Sequence, residues 1–146
     1  MSNFYIASRL EAAAQVKRMA NILVAAEHTH TYDWTAHGSV KHEGEQRIRE
    51  VAGLEVQGVR DADVVIVILP GGRGTHAELG LAIATYKSVI ICAADDEDFQ
   101  QDERTCAFYW ADKVRHVTGG MEDWLPVILW ELTPAWRRKP VVGTAT

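Results

Sequence analysis

Asp63-Val64-Val65-Ile66-Val67-Ile68-Leu69 runs directly into Pro70-Gly71-Gly72-Arg73-Gly74-Thr75-His76-Ala77-Glu78, and the reading of this junction decides the fold. The run after Asp63 is apolar and β-branched, without the polar alternation of a half-exposed strand. It reads as a strand covered on both faces, as in a parallel sheet held between helix layers. From Thr75 the spacing changes to that of a helix, with Leu79, Ala82, Ile83 and Tyr86 on one face.

The same alternation extends in both directions. Phe4 to Ala7 reads as a strand and Leu10 to Glu27 as a helix; His30 to Trp34 as a strand closed by Gly38, and Glu43 to Val59 as a helix. Ser88 to Ala93 supplies another apolar strand, a weaker helix falls near Cys106 to Ala111, and a strand at Val114 to Thr118 precedes a helix at Met121 to Leu132. Strands alternating with helices imply an α/β fold: one flavodoxin-like, Rossmann-like domain with a five-stranded parallel sheet and helices on both faces. The domain is expected over residues 1–136, with 137–146 as a C-terminal tail. In such sheets ligands bind beyond the carboxyl ends of the strands, where strand order reverses.

Bulk composition narrows the function. A chain of 146 residues with 47% hydrophobic and 24% charged residues has the makeup of a folded single domain. Its net charge of -5 argues against coating a nucleic acid polymer, which needs a basic face. Cys92 and Cys106 form no pairing pattern, and no apolar stretch approaches membrane-spanning length, so a cytoplasmic protein without membrane attachment is expected.

The loop from Pro70 to Glu78 leaves the best strand and enters a helix. Gly71, Gly72 and Gly74 let backbone approach a ligand, the helix start offers amide donors, and Arg73 adds a planar donor suited to phosphate. Thr75 and Glu78 have the spacing of a capping box, in which Glu78 only closes the helix start. The alternative is chemical: a carboxylate in the first turn, held ionised by the helix dipole and aimed into the cleft, is what attack on an anomeric carbon requires.

Pro70-Gly-Gly-Arg-Gly-Thr-His-Ala-Glu78 resembles the PGGxGTxxE motif of the Lonely Guy-type nucleotide phosphoribohydrolases, whose glycines and threonine hold a 5′-phosphate. Over residues 4 to 93 the chain is similar to the nucleoside 2-deoxyribosyltransferase superfamily, which includes N-glycosidases of nucleoside 5′-monophosphates. The similarity runs through Tyr5-Ile-Ala-Ser8, Thr31-Tyr-Asp-Trp-Thr35, Glu55-Val-Gln-Gly-Val-Arg-Asp-Ala-Asp63 and Ala77-Glu-Leu-Gly80. It implies Glu78 as nucleophile, Tyr5 as the tyrosine that orients it, and Glu55 in the place of a usual aspartate. Gly72 stands where the transferases carry Asp and the nucleotide hydrolases often Ser. It also implies a homo-oligomer, whose sites are often completed by a neighbouring subunit.

Other residues have two readings each. Asp33 and Trp34 end a strand at the expected cleft, where an indole can stack on a base and a carboxylate can bind its edge or the sugar; packing and a turn are the alternatives. Ser8 and Arg9 follow the first strand as donors for phosphate or ribose, or Ser8 is a helix cap. His28, His30, His37 and His42 show no ligand motif, and Asp95 to Asp98 reads as a solvated acidic loop. Trp124, Trp130 and Trp136 are expected to pack on the sheet or on a partner subunit.

These readings converge on cleavage of the N-glycosidic bond of a nucleoside 5′-monophosphate or (deoxy)nucleoside through a glycosyl ester on Glu78, with no cofactor and no metal. Resolution by water makes a hydrolase, and resolution by a second base a transferase. A protein that only binds or senses a nucleotide is the competing class.

Overall fold

The computed structural model describes residues 1–139. Its elements are β1 (Asn3–Ala7), α1 (Ala13–Ala25), β2 (Thr29–His30), α2 (Glu45–Asp61), β3 (Val64–Ile68), α3 (Arg73–Ala84), β4 (Ser88–Ala93), β5 (Val114–Thr118) and α4 (Met121–Leu132). The expected tail falls outside the described residues from residue 140 onward.

All five strands are parallel, in the order β2-β1-β3-β4-β5. This is the flavodoxin-like arrangement expected from the alternation of elements. β3 occupies the centre of the sheet, where Ile66 pairs with Ile6 on one side and Ile90 on the other. Every residue of β3 is buried, which is why its sequence shows no polar alternation. α2 and α3 pack together on one face, while α1 and α4 border a common groove on the other. Strand order reverses between β1 and β3, so the loops after Ala7 and Leu69 meet at one rim of the sheet.

Three elements differ from the sequence expectation. The strand expected over His30 to Trp34 ends at His30, and Trp34–Ala36 is a turn of 3-10 helix. The cause is local. Asp33 Oδ1 accepts the Thr35 backbone N–H at 3.1 Å, a side-chain-to-backbone bond that competes with the strand ladder. Near Cys106 the helix shortens to a 3-10 turn at Ala107–Trp110. Tyr86, expected on the apolar face of α3, lies past its end at φ 61° and is 82% exposed.

The tryptophans divide. Trp124 is buried, with its indole N–H donating to the Ala93 carbonyl (3.3 Å), whereas Trp136 is exposed. Trp130 is partly exposed and bordered by the guanidinium groups of Arg115 and Arg138. No helix among the described residues is long and apolar enough to cross a membrane. Both cysteines are free thiols.

Candidate active site

The loops after β1 and β3 enclose a cleft of about 380 Å³, within the range of small-molecule sites. Ser8, Arg9, Trp34, Gly72, Arg73, Gly74, Thr75 and Glu78 border it, together with Leu10, Glu11 and Lys41. A larger groove of 550 Å³ between α1 and α4 contains none of the residues singled out in the sequence. The smaller cleft is the candidate site, because the strand ends, the glycine loop and the carboxylate converge there.

Its floor is the start of α3. Gly72 is the N-cap, and the first intrahelical bond runs from His76 N–H to the Gly72 carbonyl at 3.2 Å. The amides of Arg73 and Gly74 precede that bond and therefore belong to the donors a helix start leaves free. Around Gly72 and Gly74 there is open space, whereas a side chain on Gly71 would strike Thr75 at 2.5 Å. Gly71 thus serves packing, and Gly72 and Gly74 leave room for a ligand. Arg9, Lys41 and Arg73 make no ion pair among the described residues, so three cations border the cleft uncommitted.

The helix boundary revises the reading of Thr75 and Glu78. Thr75 is the third residue of α3, not its cap, and its buried hydroxyl accepts the Gly72 N–H at 3.1 Å. Glu78 is therefore in the second turn and makes no capping contact. Nor is it held ionised. Burial, reinforced by the nearby charge of Glu55, raises its pKa to about 8, with the Tyr5 hydroxyl opposing the rise. Part of Glu78 faces the cleft while protein surrounds the rest.

Tyr5 lies wholly buried in β1 and presents its hydroxyl to Glu78. The two are within range to perturb each other, yet the hydroxyl completes no hydrogen bond of full geometry among the described residues. Glu55, on α2, is close enough for its charge to raise both Tyr5 and Glu78, and its own pKa is raised by burial. Tyr5, Glu55 and Glu78 thus form one group of proton-holding side chains.

The remaining candidates separate. Asp33 does not border the cleft; its carboxylate pairs with Lys17 at 2.5 Å and caps the turn after β2. Trp34 borders the cleft but is buried, with its indole N–H donating to the Ile6 carbonyl at 2.7 Å. Ser8 is not a cap, since its hydroxyl donates to the Ile68 carbonyl at 2.9 Å and ties β1 to β3. Arg9 is exposed at the cleft edge.

Sequence reasoning missed Lys41 and gave no role of their own to Tyr32 and Gly58, while it weighed His37 only as a metal ligand. Tyr32 O–H lies 2.6 Å from His37 Nε2, and its charge environment includes Glu55 and Tyr5. Gly58 of α2 makes this packing possible, because a Cβ there would lie 2.8 Å from Tyr32 Cβ and 3.1 Å from the Tyr5 ring. Its position three residues after Glu55 on one helix face was the available signal. The other histidines point elsewhere: His28 Nδ1 accepts the Ser2 N–H at 3.3 Å, and His30 stacks on Phe4. No three His, Cys, Asp or Glu side chains come together among the described residues.

At the switch point of this parallel α/β sheet, where such folds carry their ligands, two glutamates and a buried tyrosine come together. The nucleoside 2-deoxyribosyltransferase family model matches residues 4–122, and the chain belongs to that family of enzymes. A search of curated proteins gives no significant match in sequence. Among solved structures, the CMP N-glycosidase of Clostridium botulinum is similar in fold, with a TM-score of 0.61 at 18% identity. The match covers 86% of this chain and 96% of that one.

Proposed function

We propose that the protein hydrolyses the N-glycosidic bond of a nucleoside 5′-monophosphate. The observation that supports this most strongly is that Glu78, with Tyr5 and Glu55 close behind it, borders one cleft together with a glycine-rich helix start and three cations that make no ion pair among the described residues. The first group suits an anomeric carbon and the second a phosphate. The fold relative named as a CMP N-glycosidase acts on a monophosphate, which agrees with this division.

In this reading an oxygen of Glu78 attacks C1′. The C1′–N bond breaks with its electron pair passing to the base nitrogen, and a proton held between Glu55 and Glu78 accompanies the departing base from Glu55. Water then attacks C1′ of the glycosyl ester and gives its proton to the Glu55 carboxylate, while the C1′–O bond to Glu78 breaks, freeing the sugar phosphate and returning Glu78 as a carboxylate. Tyr5 orients Glu78. The family's description favours a second outcome, in which a free base resolves the same ester and the reaction is transfer.

The test is a panel of ribo- and deoxyribonucleosides and their 5′-monophosphates, with freed base measured by chromatography, with and without an added acceptor base. Base release from monophosphates without acceptor supports hydrolysis. Product formation only with acceptor assigns transfer. Binding of nucleotides with no bond cleavage under either condition contradicts catalysis. Arg73→Ala should weaken the monophosphate and leave its nucleoside unchanged; equal effects on both contradict the phosphate assignment.

A further inference from the structure

We propose that His76, held in turn by Tyr109, is a positioning residue that aims the loop at Gly72 and so sets the preference for a phosphorylated over an unphosphorylated nucleoside. This rests on the phosphate reading given above and adds to it the residues that enforce it.

Gly72 is where the chain turns from loop to helix, and both of its backbone groups are bound. Its N–H donates to the Thr75 hydroxyl (3.1 Å), and its carbonyl accepts from His76 twice, from the backbone N–H at 3.2 Å and from Nδ1 at 2.8 Å. The direction of that carbonyl matters. A carbonyl oxygen turned into the cleft would present negative charge to phosphate oxygens; turned along the helix axis, it leaves the opposite pole of the first turn to the ligand. Two donors from one residue hold it along the axis.

Such a tie is needed here because Gly71, Gly72 and Gly74 lie within four residues. Glycine-rich backbone has the most conformations to lose on folding, and a Cβ at Gly72 would meet nothing within 4 Å, so packing around that position does not restrain it.

The ring of His76 is itself fixed. A carbonyl can only accept, so Nδ1 carries hydrogen; Nε2 of the neutral ring then accepts from the Tyr109 hydroxyl at 2.7 Å. Tyr109 is buried and packs edge-on to Phe99, which stacks on His116 of β5 at 4.0 Å. His116 Nε2 donates to the Tyr109 carbonyl at 2.5 Å. Through this chain the loop after β3 is anchored to the segment after β4 and to the sheet. His76 does not border the cleft, so its influence passes through Gly72.

The readout is the ratio of kcat/KM for a 5′-monophosphate to that for its nucleoside, with inorganic phosphate as a competitive inhibitor. In His76→Leu the ratio should fall roughly tenfold, the scale of one or two lost hydrogen bonds, and phosphate should inhibit more weakly in parallel, with kcat/KM for the nucleoside within about twofold. Tyr109→Phe should produce a smaller fall of about threefold. His76→Asn, whose side-chain N–H replaces Nδ1–H, should recover most of the ratio, and these two variants serve if His76→Leu does not fold. Lowered Tm in the variants with an unchanged ratio overturns the positioning role alone. A wild-type ratio near one, with no inhibition by phosphate, overturns the phosphate reading and this inference together.

Discussion

The Tyr5 hydroxyl faces the Glu78 carboxylate from β1 across to α3, and neither group completes a hydrogen bond with any other residue among those described. Both therefore hold unspent polar capacity in a region where burial makes charge costly. A stability-driven design would replace the pair with apolar residues. Their retention fits a site in which substrate supplies the missing partner.

Tyr5→Phe separates stability from function. Removing a buried hydroxyl that completes no hydrogen bond of full geometry should raise stability by about 1 kcal/mol, the low end of the cost of an unsatisfied group, while kcat falls about tenfold or more as Glu78 loses the group proposed to orient it. Denaturant melts and steady-state rates on the same preparation check both. Unchanged kcat would remove Tyr5 from the reaction.

The pH dependence follows from the glutamates acting as a pair. With Glu78 raised to about 8 by burial and by Glu55, and Glu55 itself raised, the pair holds one proton near neutrality, and the last proton leaves near pH 8. In the proposed reaction the singly protonated pair is the reactive form, so kcat/KM should rise from acid pH, peak, and fall again around pH 8. Glu55→Gln removes the proton donor and the charge that raises Glu78. Its lower activity should climb to a plateau from an acid limb shifted below pH 8. A descending limb that persists in Glu55→Gln would contradict the shared proton.

Stability should move with pH for the same reason. Glu78 has a folded pKa above its ordinary carboxyl value, so as pH rises between that value and about 8 the unfolded chain releases a proton the folded one retains. This favours unfolding. Glu78→Gln lacks the effect, and its Tm should exceed the wild-type Tm by a margin that widens from pH 5 to 8 and then levels off. A margin constant with pH would show that burial does not penalise the Glu78 charge.

Gly58 connects packing to catalysis. In Gly58→Ala the new methyl would lie 2.8 Å from Tyr32 Cβ and 3.1 Å from two Tyr5 ring carbons, so α2 or both tyrosines must shift. We expect a loss of about 1–3 kcal/mol in stability, the usual cost of overpacking, with kcat reduced at temperatures where the variant is fully folded. Rates measured well below its Tm check the second part, and wild-type kcat there would dissociate the tyrosine packing from turnover.

The sheet was legible because β3 and β4 are buried on both faces, which leaves unbroken apolar runs bounded by Asp63, Pro70 and Ser88. β2 was misjudged because Thr31 to Trp34 has strand-like residues, while the Asp33-to-Thr35 bond that ends the strand is a local contact weaker in sequence than β-propensity. The glycine loop and Glu78 were readable as a unit. The helix start was placed two residues late, since Thr75 caps from inside the helix and Gly72 has no side chain to announce itself. The elevated pKa of Glu78 could not be read, because it depends first on burial and then on Glu55, brought near by the packing of α2 on α3. Lys41 lacked motif spacing, and only the cleft geometry collects it, while Tyr32, inside the Thr31–Thr35 stretch, gains a place only through its packing on Gly58.

Whether Glu78 forms the bond to C1′ is read from single-turnover base release by Glu78→Gln, with the protein trapped by acid quench and weighed intact. Because Glu78 makes no capping contact, the variant should fold and still bind substrate. An amide is a very poor nucleophile toward an anomeric carbon, so base release should drop by roughly 10³-fold or more, and the glycosyl adduct expected on wild-type protein should be absent. Base release near the wild-type rate from folded Glu78→Gln, or an adduct that persists in it, would mean that another group forms the bond to C1′.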